Sequence, residues 1–478
     1  MGKRLLILEN VLFYLVLFLF VFIPLYPKFP LLNIQGTFVA IRLEDLIIGL
    51  TVSLWGIYLV LSNQLRVFLR DKLNQAILVF FFIGAVSSFS AVFLTHTVSF
   101  NLTIFHFLRR VEFMMLLPVV VSVIKSKKKF NWILVFLFLT VLAVNLYALG
   151  QQYLDWPVIS TTNSEFSKGL ILRLTPDARV NSTFAGHYDL AVFLAMVLTC
   201  VTALFFAFKN YAIKFWILIL GLFSLLVLIM TAARISFVAA FVGIAAALLF
   251  SKKKKYILVI AIVALALLIY PSQLRDRLVS TVTVNLFHQG QRYEGKTEDQ
   301  QIRSKLNIPT LAVKTSSTSA QTSTFATSSG IATDITPGEP IDTTQLGVYR
   351  SFQIRLNIEW PRAIAAFTKN PLLGSGYSSI DIATDNDILR SLGEVGILGT
   401  LAFILILTEI AKRIFQSLKN ENKLIKFFSA GVLSMLIAFL VNGLFIDVFE
   451  ASKVASLFWM ILGLALAASR FEKYVKSF

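Results

Sequence analysis

Residues 211–250 read YAIKFWILILGLFSLLVLIMTAARISFVAAFVGIAAALLF. Two apolar runs, near the length at which a helix crosses a hydrocarbon layer about 30 Å thick, meet at the four residues TAAR. So short a turn only reverses the chain, which makes the stretch a helical hairpin in a membrane. Arg234 stands in that turn beside Thr231, Ala232 and Ala233. A charge there is costly unless it is solvated or paired.

The pattern continues in both directions. The chain has 478 residues, 57% of them hydrophobic and only 15% charged, with a mean hydropathy of +0.77. Long continuous runs exclude an outer-membrane barrel, whose strands alternate over short segments. The reading is an all-α polytopic membrane protein of about twelve spans. They fall at roughly 6–26, 44–61, 75–94, 103–124, 131–149, 187–208, 213–230, 235–250, 256–270, 389–410, 427–446 and 452–469. The N-terminal MGKRLLILENVLFYLVLFLFVFIPLY is too long in its apolar part for a signal peptide and lacks an A-x-A-like site, so it reads as a retained first helix. The single cysteine, Cys200, allows no intramolecular disulfide, and the sequence carries no metal-binding cluster and no nucleotide motif.

The formal charge of +18 would suggest nucleic acid in a soluble protein. Here the cations sit at span ends, so the expected partners are membrane lipids and not nucleic acid. One set of connections is basic: Lys3/Arg4, Arg66/Arg70/Lys72, KSKKK at 125–129, Lys209/Lys214, KKKK at 252–255, Lys412/Arg413 with Lys419/Lys423/Lys426, and Arg470/Lys473/Lys476. With twelve spans every one falls on the same side, which the positive-inside rule makes cytoplasmic, together with both termini.

Spans one to nine occupy 1–270, a large outer loop 271–388, and the last three spans 389–478. Within the loop, 315–346 is Ser/Thr-rich and poor in large apolar side chains, so a mobile insert is expected. The segment 350–370 (RSFQIRLNIEWPRAIAAFTKN) is an amphipathic helix ending before Pro371. It suits the membrane surface or the outer mouth of the bundle. No internal repeat of the transporter kind is present.

Arg179, Arg234 and Arg355 all lie on the outer side. A lone loop arginine is commonly solvated or snorkels to head groups. Three on one face suggest an anionic, lipid-linked ligand such as a pyrophosphate, because guanidinium groups grip phosphate bidentately. His187, beside Asp189, opens a span at the same face, either as a substrate contact or as an interfacial polar residue. Arg109 and Glu112 are three apart and can pair on one helix face, as structural neutralisation or as the lining of a lipid-carrier groove. Gly374 and Gly376 suit a tight turn. Gly396 and Gly399, near Glu394 in the tenth span, suit close helix packing.

Three patterns resemble the O-antigen ligase and Wzy-type polysaccharide polymerase superfamily. The first is Arg179 followed by STFAGHYDLAVFLA. The second is TAAR, where that family usually has T-x-S-R. The third runs from Arg355-LNIEW through PLLGSGY at 371–377 to TDNDILRSLGEVGILG at 384–399. The resemblance implies a C-type glycosyltransferase-like fold in the bacterial cytoplasmic (inner) membrane, with the large loop periplasmic. It implies an undecaprenyl-pyrophosphate-linked glycan donor and a sugar hydroxyl acceptor, on lipid A core or on a second lipid-linked glycan, with no cofactor and no metal. On this reading Asp385, Arg234 and Arg355 carry the chemistry. Arg179, His187, Arg350, Asn386 and Asp387 contact pyrophosphate or glycan. The chain departs from the family at Asp385, where the resembling ligases have His. An Asp there can deprotonate a hydroxyl if burial raises its proton affinity, or it can cap the next helix. Two other readings differ in acceptor or in reaction: a protein O-oligosaccharyl ligase of the same superfamily, and a polysaccharide transporter or flippase. A flippase calls for charges deep in several spans and repeated halves. The few intramembrane charges and single large loop favour the enzyme.

Overall fold

The computed structural model describes residues 2–33, 40–159, 171–172, 174, 178–269, 272–283, 351–380 and 383–471. The Ser/Thr-rich insert 315–346 and Arg350 lie outside them. The helices are α1 Gly2–Leu25, α2 Leu43–Leu61, α3 Leu65–Arg70, α4 Lys72–Phe89, α5 Phe100–Val123, α6 Lys127–Tyr153, α7 His187–Leu204, α8 Tyr211–Met230, α9 Arg234–Phe250, α10 Ile257–Ile269, α11 Gln273–Thr283, α12 Trp360–Lys369, α13 Asp387–Gln416, α14 Lys423–Gly443 and α15 Ser452–Ala468. All twelve stretches read as spans fall on helices. Eight of these are long and apolar enough to cross a membrane by themselves. The helices α9 and α15 are apolar but shorter, and α5 carries His106, Arg109, Arg110 and Glu112 in its first half.

Start signals explain several boundaries. Asp71, Ser126, Asn210 and Asn422 accept backbone N–H groups in the first turns of α4, α6, α8 and α14. At the centre, α14 packs on α7 and α9, α15 on α5, and α13 on α4. Between apolar helices in lipid, association depends on close approach of small residues. A Cβ at Gly431 would come within 2.8 Å of the Cys200 Cα, and one at Gly463 within 2.8 Å of the Leu117 carbonyl oxygen.

The contacts sort the connections into the same two sets as the charges. At one end Asp71 holds Arg413 at 2.7 Å and Arg470 at 3.3 Å, while Glu9 holds Lys125 at 3.0 Å and Lys129 at 3.3 Å. At the other end Lys28 meets Asp189 at 3.5 Å, and Arg42 donates to Ser452 Oγ at 3.2 Å. There also the buried Lys453 donates to the Thr183 carbonyl at 2.7 Å. These contacts mark a basic end of the bundle and an opposite end that gathers the candidate site residues.

Three features were not legible in sequence. A hairpin, β1 Pro30–Asn33 with β2 Ala40–Arg42, leads into α2, and a second short pair joins β3 Val158–Ile159 to β4 Ile171–Leu172. The helix α11 packs against α8 and α9. The third corrects the expectation for α13, whose glycines do more than allow close packing. Gly396, at φ 66 and ψ −169, breaks the helix. The segment 371–376 satisfies the interrupted backbone: Ser375 N donates to Gly393 O at 2.8 Å, Gly376 N to Glu394 O at 2.9 Å, and Ile397 N to Pro371 O at 2.9 Å. Irregular backbone at membrane depth persists only where protein supplies such partners. Gly374, at φ +72, is needed for the approach, since a Cβ there would lie 2.6 Å from the Gly396 nitrogen.

Candidate functional site

The site residues fall into two groups at the same end of the bundle. The first surrounds the start of α7 and of α9. Arg179 Nη1 lies 2.9 Å from His187 Nε2. Arginine can only donate, so Nε2 accepts and the imidazole is neutral, its proton on Nδ1. Arg277, which sequence reasoning missed, is near enough for its charge to act on His187 alongside that of Arg179. Arg234 donates to the Arg277 carbonyl at 3.5 Å and to the Thr281 hydroxyl of α11. Arg179 is thus set on a neutral imidazole, and Arg234 is tied to the backbone of the helix that carries Arg277. The turn carrying Arg179 is locked from below. Gln151 bonds Ser182 through both its amide atoms, at 2.9 and 2.7 Å, and Thr183 donates to the Pro24 carbonyl at 2.6 Å.

Arg234 occupies the first position of α9, where the helix dipole disfavours a cation. Ala232 just before it has φ 50, a conformation that costs a non-glycine residue about 1–2 kcal/mol. Neither feature serves helix stability, and such strain concentrates at functional sites.

The second group surrounds the start of α13. Arg355 Nη2 pairs with Asp385 Oδ2 at 2.6 Å. Asp385 does not cap α13. That role belongs to Asn386, whose Oδ1 accepts from Ile388 N at 3.1 Å and Leu389 N at 3.0 Å, so the capping alternative for Asp385 falls away. Asp385 instead adopts φ 50 and is turned toward Arg355. Burial pushes its carboxyl above the usual aspartate range, with Arg355 opposing. Asp387 turns inward, accepting Val448 N at 3.1 Å.

Asp447, also missed, organises this loop. Its carboxylate accepts backbone N–H groups from Thr384 at 2.7 Å, Asp385 at 3.1 Å and Asn386 at 3.3 Å, and Arg390 Nη2 at 3.1 Å. Beneath it Arg390 reaches Glu394 at 3.3 Å and Glu450 at 3.9 Å. Arg110, not Arg109, makes the ion pair of α5, and it does so with Glu450 and not with Glu112. The charges of Arg110 and Arg390 outweigh burial and hold the Glu450 carboxyl below its usual range. The missed signal was FIDVFEASK at 445–453, three charges spaced by three in a short outer connection. Charge-assisted bonds of this kind contribute about 1.5–3 kcal/mol each. Asp447→Ala is therefore expected to free the Asp385 loop and lower turnover roughly tenfold, with Asp447→Asn intermediate. Full activity of the Ala variant, measured on purified protein, would contradict that role.

The groups connect through the end of α14. Ser236 of α9 donates to Asn442 Oδ1 at 2.7 Å. Asn386 Nδ2 donates to the Leu444 carbonyl at 3.1 Å, and Arg355 to the Phe445 carbonyl at 3.4 Å.

Residues 219–404 match a family model described as O-antigen ligase. No curated protein matches the chain. The matched stretch holds Arg234, Arg277, Arg355, Asp385 and the broken part of α13.

Proposed function

We propose that this O-antigen ligase-related membrane protein transfers a glycan from undecaprenyl pyrophosphate to a sugar hydroxyl at the periplasmic face of the bacterial inner membrane. The pairing of Arg179 with His187 and the seating of Arg234 on the Arg277 backbone, at the bundle end that also holds Arg355 and Asp385, carry this reading. The acceptor oxygen forms its bond to the anomeric carbon of the donor. The bond from that carbon to the pyrophosphate breaks, and its electron pair leaves on the phosphate oxygen. Arginines fixed before the reaction stabilise that charge at no cost of reorganisation. The acceptor proton goes to the carboxyl group beside Arg355, with Asp385 in the position to take it.

Purified protein in proteoliposomes, given a lipid-linked oligosaccharide and candidate acceptors, is expected to lengthen the acceptor and release undecaprenyl pyrophosphate. No transfer to any glycan acceptor, with flipping of the donor instead, would overturn the enzyme reading. In cells, loss of all long glycan on deletion indicates a ligase, and acceptors capped with single repeats indicate a polymerase.

The orientation rests on the basic connections and twelve spans. A reporter active only in the periplasm should work when fused after Asp155 and stay silent when fused after Lys254. The reverse at either site would sink the arrangement.

A further inference from the structure

We infer that Glu359 is the second member of an acid–base carboxyl pair with Asp385, holding the proton that Asp385 removes from the acceptor hydroxyl. The inference rests on the transfer reaction proposed above and names a residue that the sequence reading passed over.

The local fold puts Glu359 in the same turn as the arginine that pairs with Asp385. Residues Arg355–Glu359 form a π-turn. Pro361, at the start of α12, has no N–H to offer the turn before it, which favours the widened coil. That coil sets Arg355 and Glu359, four apart, on neighbouring faces. Arg355 carries Asp385 at 2.6 Å. Glu359 Oε2 is buried and has no hydrogen-bond partner among the described residues. A buried acceptor left so is costly unless the group takes up a proton or meets a donor during the reaction.

The charges around Glu359 agree. Burial first, then the carboxylates of Asp385 and Asp447, push its carboxyl up to about 7, against the pull of Arg355 and Arg362. Asp385, held by Arg355, is the better placed to touch substrate, and Glu359 is the better place for a proton to rest. The acceptor hydroxyl gives its proton to Asp385 as its oxygen bonds the anomeric carbon. The proton passes to Glu359, and the electron pair of the broken bond leaves with the pyrophosphate. Two carboxyl groups thereby do what a single imidazole does where the resembling ligases have His.

The test is a pH–rate profile of purified protein with lipid-linked donor. Glu359→Gln is expected to lower turnover about tenfold and to move the acid limb down by about half a pH unit or more. The direction follows from the relay itself. Glu359, pushed up to about 7, must be ionised to receive the proton and so sets the wild-type limb, whereas without it only Asp385 need be ionised. Glu359→Asp should recover part of the rate. In Asp385→His protein, where the imidazole keeps its own proton, adding Glu359→Gln should change the rate by less than about threefold. A loss with an unmoved acid limb, repeated in full in the Asp385→His background, would reduce Glu359 to a structural residue. A wild-type rate and profile for Glu359→Gln would overturn the pairing outright. Absence of transfer by the wild-type protein would instead overturn the reaction on which it rests.

Discussion

Arg234→Ala is expected to lower glycan transfer roughly 100- to 1,000-fold, the cost of deleting one preorganised donor to a developing oxyanion, while the protein inserts and accumulates normally. The side chain bridges α9 to α11 through the Arg277 carbonyl and Thr281, so a structural part of the loss has to be separated. Thr281→Val provides that control. It removes the hydroxyl partner of Arg234 and leaves the guanidinium in place. If Arg234 serves phosphate, Thr281→Val should keep most of the activity. If Arg234 merely ties the helices together, the two variants should fail alike. Lys in place of Arg234 should rescue poorly, since an ammonium lacks the planar fork that meets two phosphate oxygens at once. Assays at saturating acceptor, with membrane protein quantified beside product, read the difference. Near-normal transfer by Arg234→Ala would show that the residue does not serve phosphate.

How much of this was legible follows from what each signal depends on. The helices come from continuous apolar runs, a property of neighbouring residues. The charge alternation assigned each connection to an end, and Asp71 with Arg413 and Arg470, or Lys28 with Asp189, show those connections meeting. Arg179, Arg234 and Arg355 stood out because each is a charge where charge is disfavoured. The same argument applied to Asp447, Glu450 and Lys453, yet their spacing of three between two apolar runs was passed over as an ordinary connection. The break at Gly396 was out of reach. Its cause is hydrogen bonding with the preceding segment 371–376, outside the helix, and no periodicity within α13 records it. The split of the arginines was equally hidden. Sequence order gives one outer face, whereas the structure sets Arg179 on His187, Arg234 on the backbone of α11 and Arg355 against Asp385.

Asp385→Asn is expected to lower transfer roughly 100-fold or more, the usual weight of general acid–base help. The substitution is clean for three reasons. Asn has nearly the same size. It tolerates the left-handed backbone that Asp385 adopts at φ 50. The α13 cap, supplied by Asn386, is untouched. What changes is the charge opposite Arg355, and because burial outweighs that pair in setting the Asp385 carboxyl, its loss costs little stability. Thermal melting should therefore move little while the rate collapses. Asp385→His keeps a proton acceptor and should retain measurable activity. Its pH profile supplies the sharper check. The working form of either residue is the deprotonated one, so activity is lost as pH falls through the proton affinity of that group. Burial already raises the Asp385 carboxyl above the usual range. An imidazole starts from an ordinary value of about 6.5 and is pushed down by the same burial and by Arg355, so the acid limb should leave its wild-type position. An acid limb that stays in place between the wild-type protein and the Asp385→His variant would show that this position never holds the acceptor proton. An active Asn variant would lead to the same conclusion by rate alone, and the acceptor would then owe its activation to Glu359, Asp387 or the donor's own phosphate.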